Sequence, residues 1–331
     1  MSFTPGKSLP KLVFILITFF LHSTLALPLL WGLLPFHHHH SVSSESTTAV
    51  TQDFITSKLE RPAKFARVVY CHKANVTSWD CGGPCESLGS DVHILEWGGN
   101  DGRVPSYLIA HDGSTNSIVV AHQGTNTNNF WSVLNDLNLL HTDLDGSIFS
   151  KLQRHKVTVH MGFQEAFKHT ANTVLEKVQE GLTKYNSQSV LITGHSLGAA
   201  IATFDAMMLH QHLDSSIKQT VVVFGLPRVG NEHWANLVDK TIGSDFIRVS
   251  DRKDPVVNLP PRMLDFYHPS GEIHIQSVDK AGQATKVVSC PGQENKHCAE
   301  GNSIFKEHVS DHLGPYFDNI KLEQAACKMK K

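Results

Sequence analysis

At positions 194–198 the chain reads Gly-His-Ser-Leu-Gly, a serine held between two glycines. A serine hydroxyl is a weak nucleophile at neutral pH. It attacks an acyl carbon when a base takes its proton, and the base in turn needs a carboxylate to orient it. Both partners have candidates downstream, in the order Ser, Asp, His. The segment SDRKDPVVNLPP offers Asp251 and Asp254, and HVSDHLGPYF offers His308 and His312. Spacing selects neither member of either pair. A complete set would perform acyl transfer through a covalent ester on Ser196, and that chemistry needs no cofactor.

A Gly-x-Ser-x-Gly pentapeptide has this use on a sharp turn between a strand and a helix. The flanks of Ser196 predict such a turn: SVLITG before it is apolar and strand-like, and LGAAIATFDAMMLHQHL after it reads as a helix. Gly194 and Gly198 leave room where the helix turns back against the strand, and Ala199, Ala200 and Ala202 let it pack closely. A serine at the helix start also sits at its positive end, which favours negative charge developing nearby.

The elements that must carry these residues alternate along the chain. VHILEW, SYLIAH, SIVVAHQG, KVTVHMG, SVLITG, TVVVFG and DFIRVS read as strands with helical patterns between them, which predicts an α/β sheet, largely parallel at its centre. A helical run is expected to bury Phe163, Phe167, Val174, Val178 and Leu182 as one stripe. With 331 residues, 40% of them hydrophobic, the chain can bury one large core, and a single domain is expected. A net charge of -2 without a long basic run argues against nucleic-acid and acidic-lipid partners.

Lys7 and Lys11 followed by the apolar run LVFILITFFL and then STLA read as a secretory signal over residues 1–26, cleaved after Ala26. The run falls short of the roughly 20 apolar residues that a membrane-spanning helix needs. Residues 27–53, rich in Pro, His, Ser and Thr and including His37 to His40, read as a flexible arm or propeptide, and 54–331 as the single domain. Six cysteines suit an oxidising compartment, with two short loops and one end-to-end staple as the economical pairing. A zinc site at Cys81 and Cys85 lacks a second ligand pair with finger-like spacing. The 22 histidines raise a metal-dependent hydrolase, but no HExxH pattern accompanies them. Asn75-Val76-Thr77 is a glycosylation acceptor in an exported chain.

From about Tyr70 to Cys327 the chain resembles the secreted fungal class 3 lipases, which are triacylglycerol lipases with feruloyl esterases among their relatives. The motifs YC and WDC with a following PC, then QGT, VHMGF, TGHSLGAA, FGLPRVGN, KDPVVNLPP and SDHLGPYF carry the resemblance, in that order. It implies the α/β-hydrolase fold, a mostly parallel central sheet flanked by helices with a lid over the active site. It further implies Ser196 as nucleophile, Asp254 as orienting acid and His312 as base, with Asp251 and His308 as second choices. It also pairs Cys71 with Cys327, Cys81 with Cys85, and Cys290 with Cys298.

For the oxyanion, the residue after the nucleophile, Leu197, is expected to give its backbone N–H. The end of SIVVAHQGT supplies Thr125, which by resemblance gives its N–H and hydroxyl. The following segment NTNNFWSVLNDL, with Phe130, Trp131, Val133, Leu134 and Leu137 at near-helical spacing, stands where similar lipases have the lid. The activity so implied is extracellular hydrolysis of triacylglycerol to diacylglycerol and fatty acid at an oil–water interface, without stable membrane insertion. A feruloyl or short-chain carboxylesterase is the alternative enzyme, and a secreted binding protein on the same fold the non-enzymatic one. The sequence departs from the pattern at His122-Gln123, where many relatives have Phe-Arg, at Ala199 in place of a frequent glycine, and in the wider spacing of Cys81 and Cys85. These changes bear on the shape of the oxyanion loop and leave the proposed triad untouched.

Overall fold

Val119, Val120, Val190, Ile192, Val221, Val222 and Val223 are fully buried, and their segments run apolar without alternation, as strands covered on both faces must. The computed structural model describes residues 42–100, 104–125, 139–302 and 308–327, all within the unit Val42–Lys331. In chain order the described strands are β1 (Thr48–Ala49), β2 (Val92–Gly98), β3 (Tyr107–Asp112), β4 (Ser117–His122), β5 (His141–Asp143), β6 (Thr158–His160), β7 (Ser189–His195), β8 (Lys218–Phe224), β9 (Phe246–Asp251), β10 (Glu272–Val278) and β11 (Ala284–Cys290).

Nine of them form one sheet in the order β1-β11-β10-β9-β8-β7-β4-β3-β2. The central five, β4, β7, β8, β9 and β10, are parallel, and antiparallel strands finish both edges. This is the α/β-hydrolase arrangement, and it puts the C-terminal ends of β4, β7, β8 and β9 side by side. Ligand sites in open parallel sheets lie at that edge.

KVTVHMG was expected to join the alternation. Only Thr158–His160 is strand, paired with β5 in a separate two-stranded ribbon, because a helix begins at Met161 with the His160 imidazole accepting from the Phe163 N–H. The expected single helical run is two helices, Met161–Lys168 and Ala171–Tyr185. At the break both the N–H and the hydroxyl of Thr170 bond the Phe167 carbonyl, which closes that turn. The stripe itself is buried at Phe163, Phe167, Val174 and Val178 and partly buried at Leu182.

Part of the segment read as an arm lies on the sheet: Thr48 and Ala49 pair with Ser289 and Val288, and the Ser43 N–H bonds the Glu294 carbonyl. Residues 1–41, which include the expected signal and His37 to His40, lie outside the described residues. The helix Leu197–His212 is buried at every residue from Gly198 to Leu209, as its apolar content all round requires. Cys71 is bonded to Cys327, Cys81 to Cys85, and Cys290 to Cys298. Asn75 is half-buried on the short helix Lys73–Thr77.

Candidate active site

Strand β7 ends at His195 and the buried helix starts at Leu197, so Ser196 alone makes the turn, with φ 58° and ψ -127°. A side-chain-bearing residue in that region is strained and persists only where its surroundings hold it. Two backbone bonds do so: the Ser196 N–H donates to the Phe224 carbonyl at 3.0 Å, and the Ser196 carbonyl accepts from the Ala199 N–H at 2.9 Å. The glycines on either side are required by contact. A Cβ on Gly194 would lie 2.3 Å from the Gly198 carbonyl oxygen, and one on Gly198 would lie 2.4 Å from that of His122.

Beyond β9 the chain turns at Asp251–Asp254, with the Asp254 N–H bonded to the Asp251 carbonyl. The Asp254 carboxylate is fully buried; Oδ1 accepts from the Val256 N–H at 2.8 Å and Oδ2 lies 2.8 Å from Nδ1 of the equally buried His312. A carboxylate oxygen can only accept, so Nδ1 carries the proton, and in the neutral ring Nε2 then holds the lone pair that a general base needs.

The second choices sit elsewhere. Asp251 meets Arg252 with both oxygens, at 2.9 and 2.8 Å. Burial pushes its carboxyl up, to about 7, against the pull of that guanidinium. Arg252 also reaches Asp311 at 3.0 Å and the Gly314 carbonyl, so it braces the loop of Asp254 against the turn of His312. His308 is exposed, with its backbone N–H on the Lys253 carbonyl.

A buried chain of hydrogen bonds runs behind the serine. His195 Nε2 lies 2.8 Å from the His312 carbonyl, an acceptor, so Nε2 bears the proton. Burial, and to a lesser degree His312, hold the pKa of His195 well below the usual histidine value, and the neutral ring then accepts at Nδ1 from the Tyr70 hydroxyl at 2.6 Å. The Tyr70 oxygen accepts the Gly124 N–H at 3.0 Å, and the Tyr316 hydroxyl gives the His312 carbonyl a second bond at 2.9 Å. Sequence reasoning did not single out Tyr70, Tyr316 or His195. The available signal was a polar residue inside each of the motifs YC, GHS and GPYF.

The segment after β4 passes directly over the serine, since a Cβ on Gly124 would stand 2.7 Å from the Ser196 Cβ. Thr125 follows Gly124, and Leu197 opens the helix, where N–H groups have no partner within the helix. The residues expected as a lid, Phe130, Trp131, Val133, Leu134 and Leu137, lie outside the described residues.

A strand-turn-helix serine and a His-Asp pair at the C-terminal edge of a mostly parallel sheet define a protein of the α/β-hydrolase class. The family model "Lipase (class 3)" matches residues 119–264. A secreted mono- and diacylglycerol lipase of Malassezia restricta is 35% identical over 231 residues, 70% of each chain. A second such lipase, of Malassezia globosa, is 31% identical over 280 residues, 84% of this chain and 86% of the other. Lipase II from Rhizopus niveus superposes with a TM-score of 0.73 at 26% identity, over 86% of this chain and all of that one. The chain belongs to the class 3 lipase family. It is a secreted, extracellular hydrolase. Among the described residues no helix is long and apolar enough to cross a membrane.

Proposed function

We propose that the protein is a serine lipase that hydrolyses acylglycerol esters. The observation that carries this reading is the 2.8 Å bond from His312 Nδ1 to Asp254, with the His312 carbonyl held by His195, the residue before a serine at a strained strand-to-helix turn. Ser196 Oγ attacks the ester carbonyl carbon while His312 Nε2 takes the hydroxyl proton, and Asp254 holds the ring and stabilises the imidazolium. The oxyanion is received by the Leu197 N–H and by Thr125. His312 returns its proton to the leaving alcohol, an acyl ester remains on Ser196, and a water deprotonated by His312 releases the fatty acid.

Two observations support a water-insoluble ester. The described large apolar side chains that stand exposed are Leu139, Leu140, Met161, Met263 and Leu264. They adjoin: the Met161 N–H bonds the Leu140 carbonyl at 2.9 Å, and His141, next to Leu140, donates from Nε2 to the Leu264 carbonyl at 2.8 Å. A joined apolar patch of this kind suits contact with an oil surface. The relatives that share about a third of their residues with this chain are lipases of mono- and diacylglycerols. We therefore take partial acylglycerols as the first substrates and triacylglycerol, which the sequence resemblance implied, as the second reading.

The test compares the secreted protein with Ser196→Ala on mono-, di- and trioleoylglycerol and on a feruloyl ester. Release of oleate from the mono- and diester, absent in Ser196→Ala, is expected. Release from trioleoylglycerol at an equal or higher rate moves the assignment to the second reading, and hydrolysis of the feruloyl ester alone overturns both.

A further inference from the structure

His122 and Asp205 form a fully buried pair that the proposed chemistry does not use. Nε2 of the histidine lies 2.6 Å from Oδ2 of the aspartate, and both side chains are inaccessible to solvent. Their remaining polar atoms, His122 Nδ1 and Asp205 Oδ1, have no hydrogen-bond partner among the described residues, so the pair closes on itself. Tyr107, opposite His122 in the β3–β4 register, stacks on the imidazole with ring centres 5.6 Å apart.

The two residues sit on the two segments that supply the oxyanion donors. His122 ends β4, three residues before Thr125, and Asp205 lies in the helix that opens at Leu197. These segments also meet where the His122 and Gln123 carbonyls crowd Gly198. Gly198 and Asp205 are seven residues apart, two turns of helix, and so share one face roughly 10 Å apart along the axis. The pairing of β4 with β3 and with β7 ends at His122, and the chain runs on to Thr125 beyond it. At that point the contact at Gly198 and the bond to Asp205, both on one face of the helix, fix its direction.

We propose that the His122–Asp205 bond is a positioning device for the oxyanion site, holding the strand end that carries Thr125 at a set distance from the helix N–H of Leu197. The proposal rests on the acyl-transfer reading of Ser196. Both residues act through the backbone of others and touch no substrate. Loss of one oxyanion donor costs 10²–10³ in turnover, and slight misplacement of one is expected to cost roughly tenfold.

The test replaces the pair by apolar residues of similar size, His122→Phe with Asp205→Leu, because such an exchange usually preserves stability while removing the directional bond. Three quantities are read: the melting temperature, kcat and KM on a soluble ester, and the rate of covalent inactivation by a p-nitrophenyl phosphonate. In the last, Ser196 Oγ bonds to phosphorus, p-nitrophenolate leaves and the serine proton passes to His312. With the melting point held within a few degrees, kcat and the inactivation rate are expected to fall about tenfold, with KM and the pH profile unchanged. A double variant that keeps its melting point and its kcat within twofold overturns the proposal.

Should that variant not fold, Asp205→Asn and Asp205→Ala are compared at a temperature where both are native. The amide preserves a bond to His122, so its kcat should stay within about threefold while the alanine variant loses at least tenfold; equal rates for the two overturn the proposal. Ser196→Ala separates the underlying reading, because a chain that still hydrolyses ester without that hydroxyl refutes the mechanism whatever the pair does.

Discussion

Replacing Tyr70 by Phe removes one oxygen from the interior and leaves the ring, 3% exposed, in place. That oxygen has two partners. Without it the Gly124 N–H loses its acceptor and His195 Nδ1 loses its donor, both in a buried setting. A buried polar group left unsatisfied costs about 1–3 kcal/mol, so the pair should cost about 3 kcal/mol in stability. For a domain of this size that is a fall of about 5 °C in melting temperature. The catalytic effect should be separate and smaller than that of losing a member of the proposed triad. His195 keeps its bond to the His312 carbonyl, but Gly124, freed from Tyr70, precedes the proposed donor Thr125, and kcat is expected to fall about tenfold. KM and the pH profile should hold, because the bond from Asp254 to His312 is untouched. Thermal unfolding by circular dichroism and initial rates on p-nitrophenyl butyrate measure both. Tyr316→Phe is the control: the His312 carbonyl retains the bond from His195, so the loss should be near 1 kcal/mol. A Tyr70→Phe protein that melts within 1 °C of wild type and turns over within twofold would refute the relay.

Other expectations follow from the same geometry. Asp254→Asn should slow turnover roughly 10⁴-fold by disturbing the tautomer of His312, whereas Asp251→Asn should keep the rate within about fivefold and lower the melting point, since it takes the bidentate partner from Arg252; equal losses in kcat would reassign the acid. Met263→Ser with Leu264→Ser should cut hydrolysis of emulsified dioleoylglycerol at least fivefold and leave a soluble ester within twofold, because Met263 is 84% exposed; a proportional loss on both would remove the patch from lipid contact. Acid stability should depend on Glu294. Burial works to raise its pKa, but Arg228, His268 and Arg248 hold it at about 2 against an ordinary 4.5. A depressed carboxyl stabilises the fold above its unfolded value, and that stabilisation is lost as pH falls from about 4.5 toward 2. Glu294→Gln should flatten urea-measured stability across this window, and an unchanged slope would refute the assignment.

The parts of the site that a reader of the sequence can find are those that share a segment. Strand β7, the turn at Ser196 and the helix after it are contiguous, and their apolar and small residues announce all three. Six strands of the large sheet declared themselves by their apolar, mostly β-branched residues. The hairpin β10–β11 did not, because EIHIQSV and ATKVVSC mix polar residues into strands near the edge of the sheet, where burial is incomplete. Spacing alone left the choice between Asp251 and Asp254 open for a related reason, and only the family resemblance pointed to Asp254. Both follow the same strand, and what separates them is which carboxylate meets His312, 58 residues further on, and which meets its own neighbour Arg252.

Long-range polar contacts follow a rule that makes them partly inferable even so. His122 closes the strand SIVVAH, whose other residues are buried, and Asp205 interrupts the run ATFDAMML in a helix buried on every side. A titratable group in such a place is too costly to leave alone, so each demands a partner of opposite character within reach. The strand-turn-helix motif places β7 and the helix after it in contact, and a parallel sheet places β4 beside β7. One buried base and one buried acid on adjoining elements then point at each other, although 83 residues separate them. Tyr70 escapes this logic because it belongs to no regular element: it follows the helix Glu60–Val68 and reaches His195 across 125 residues, at a position that only the closed fold defines. The buried pair is thus a matter of chemical necessity read along two elements, whereas the relay behind the serine depends on where a loop comes to rest.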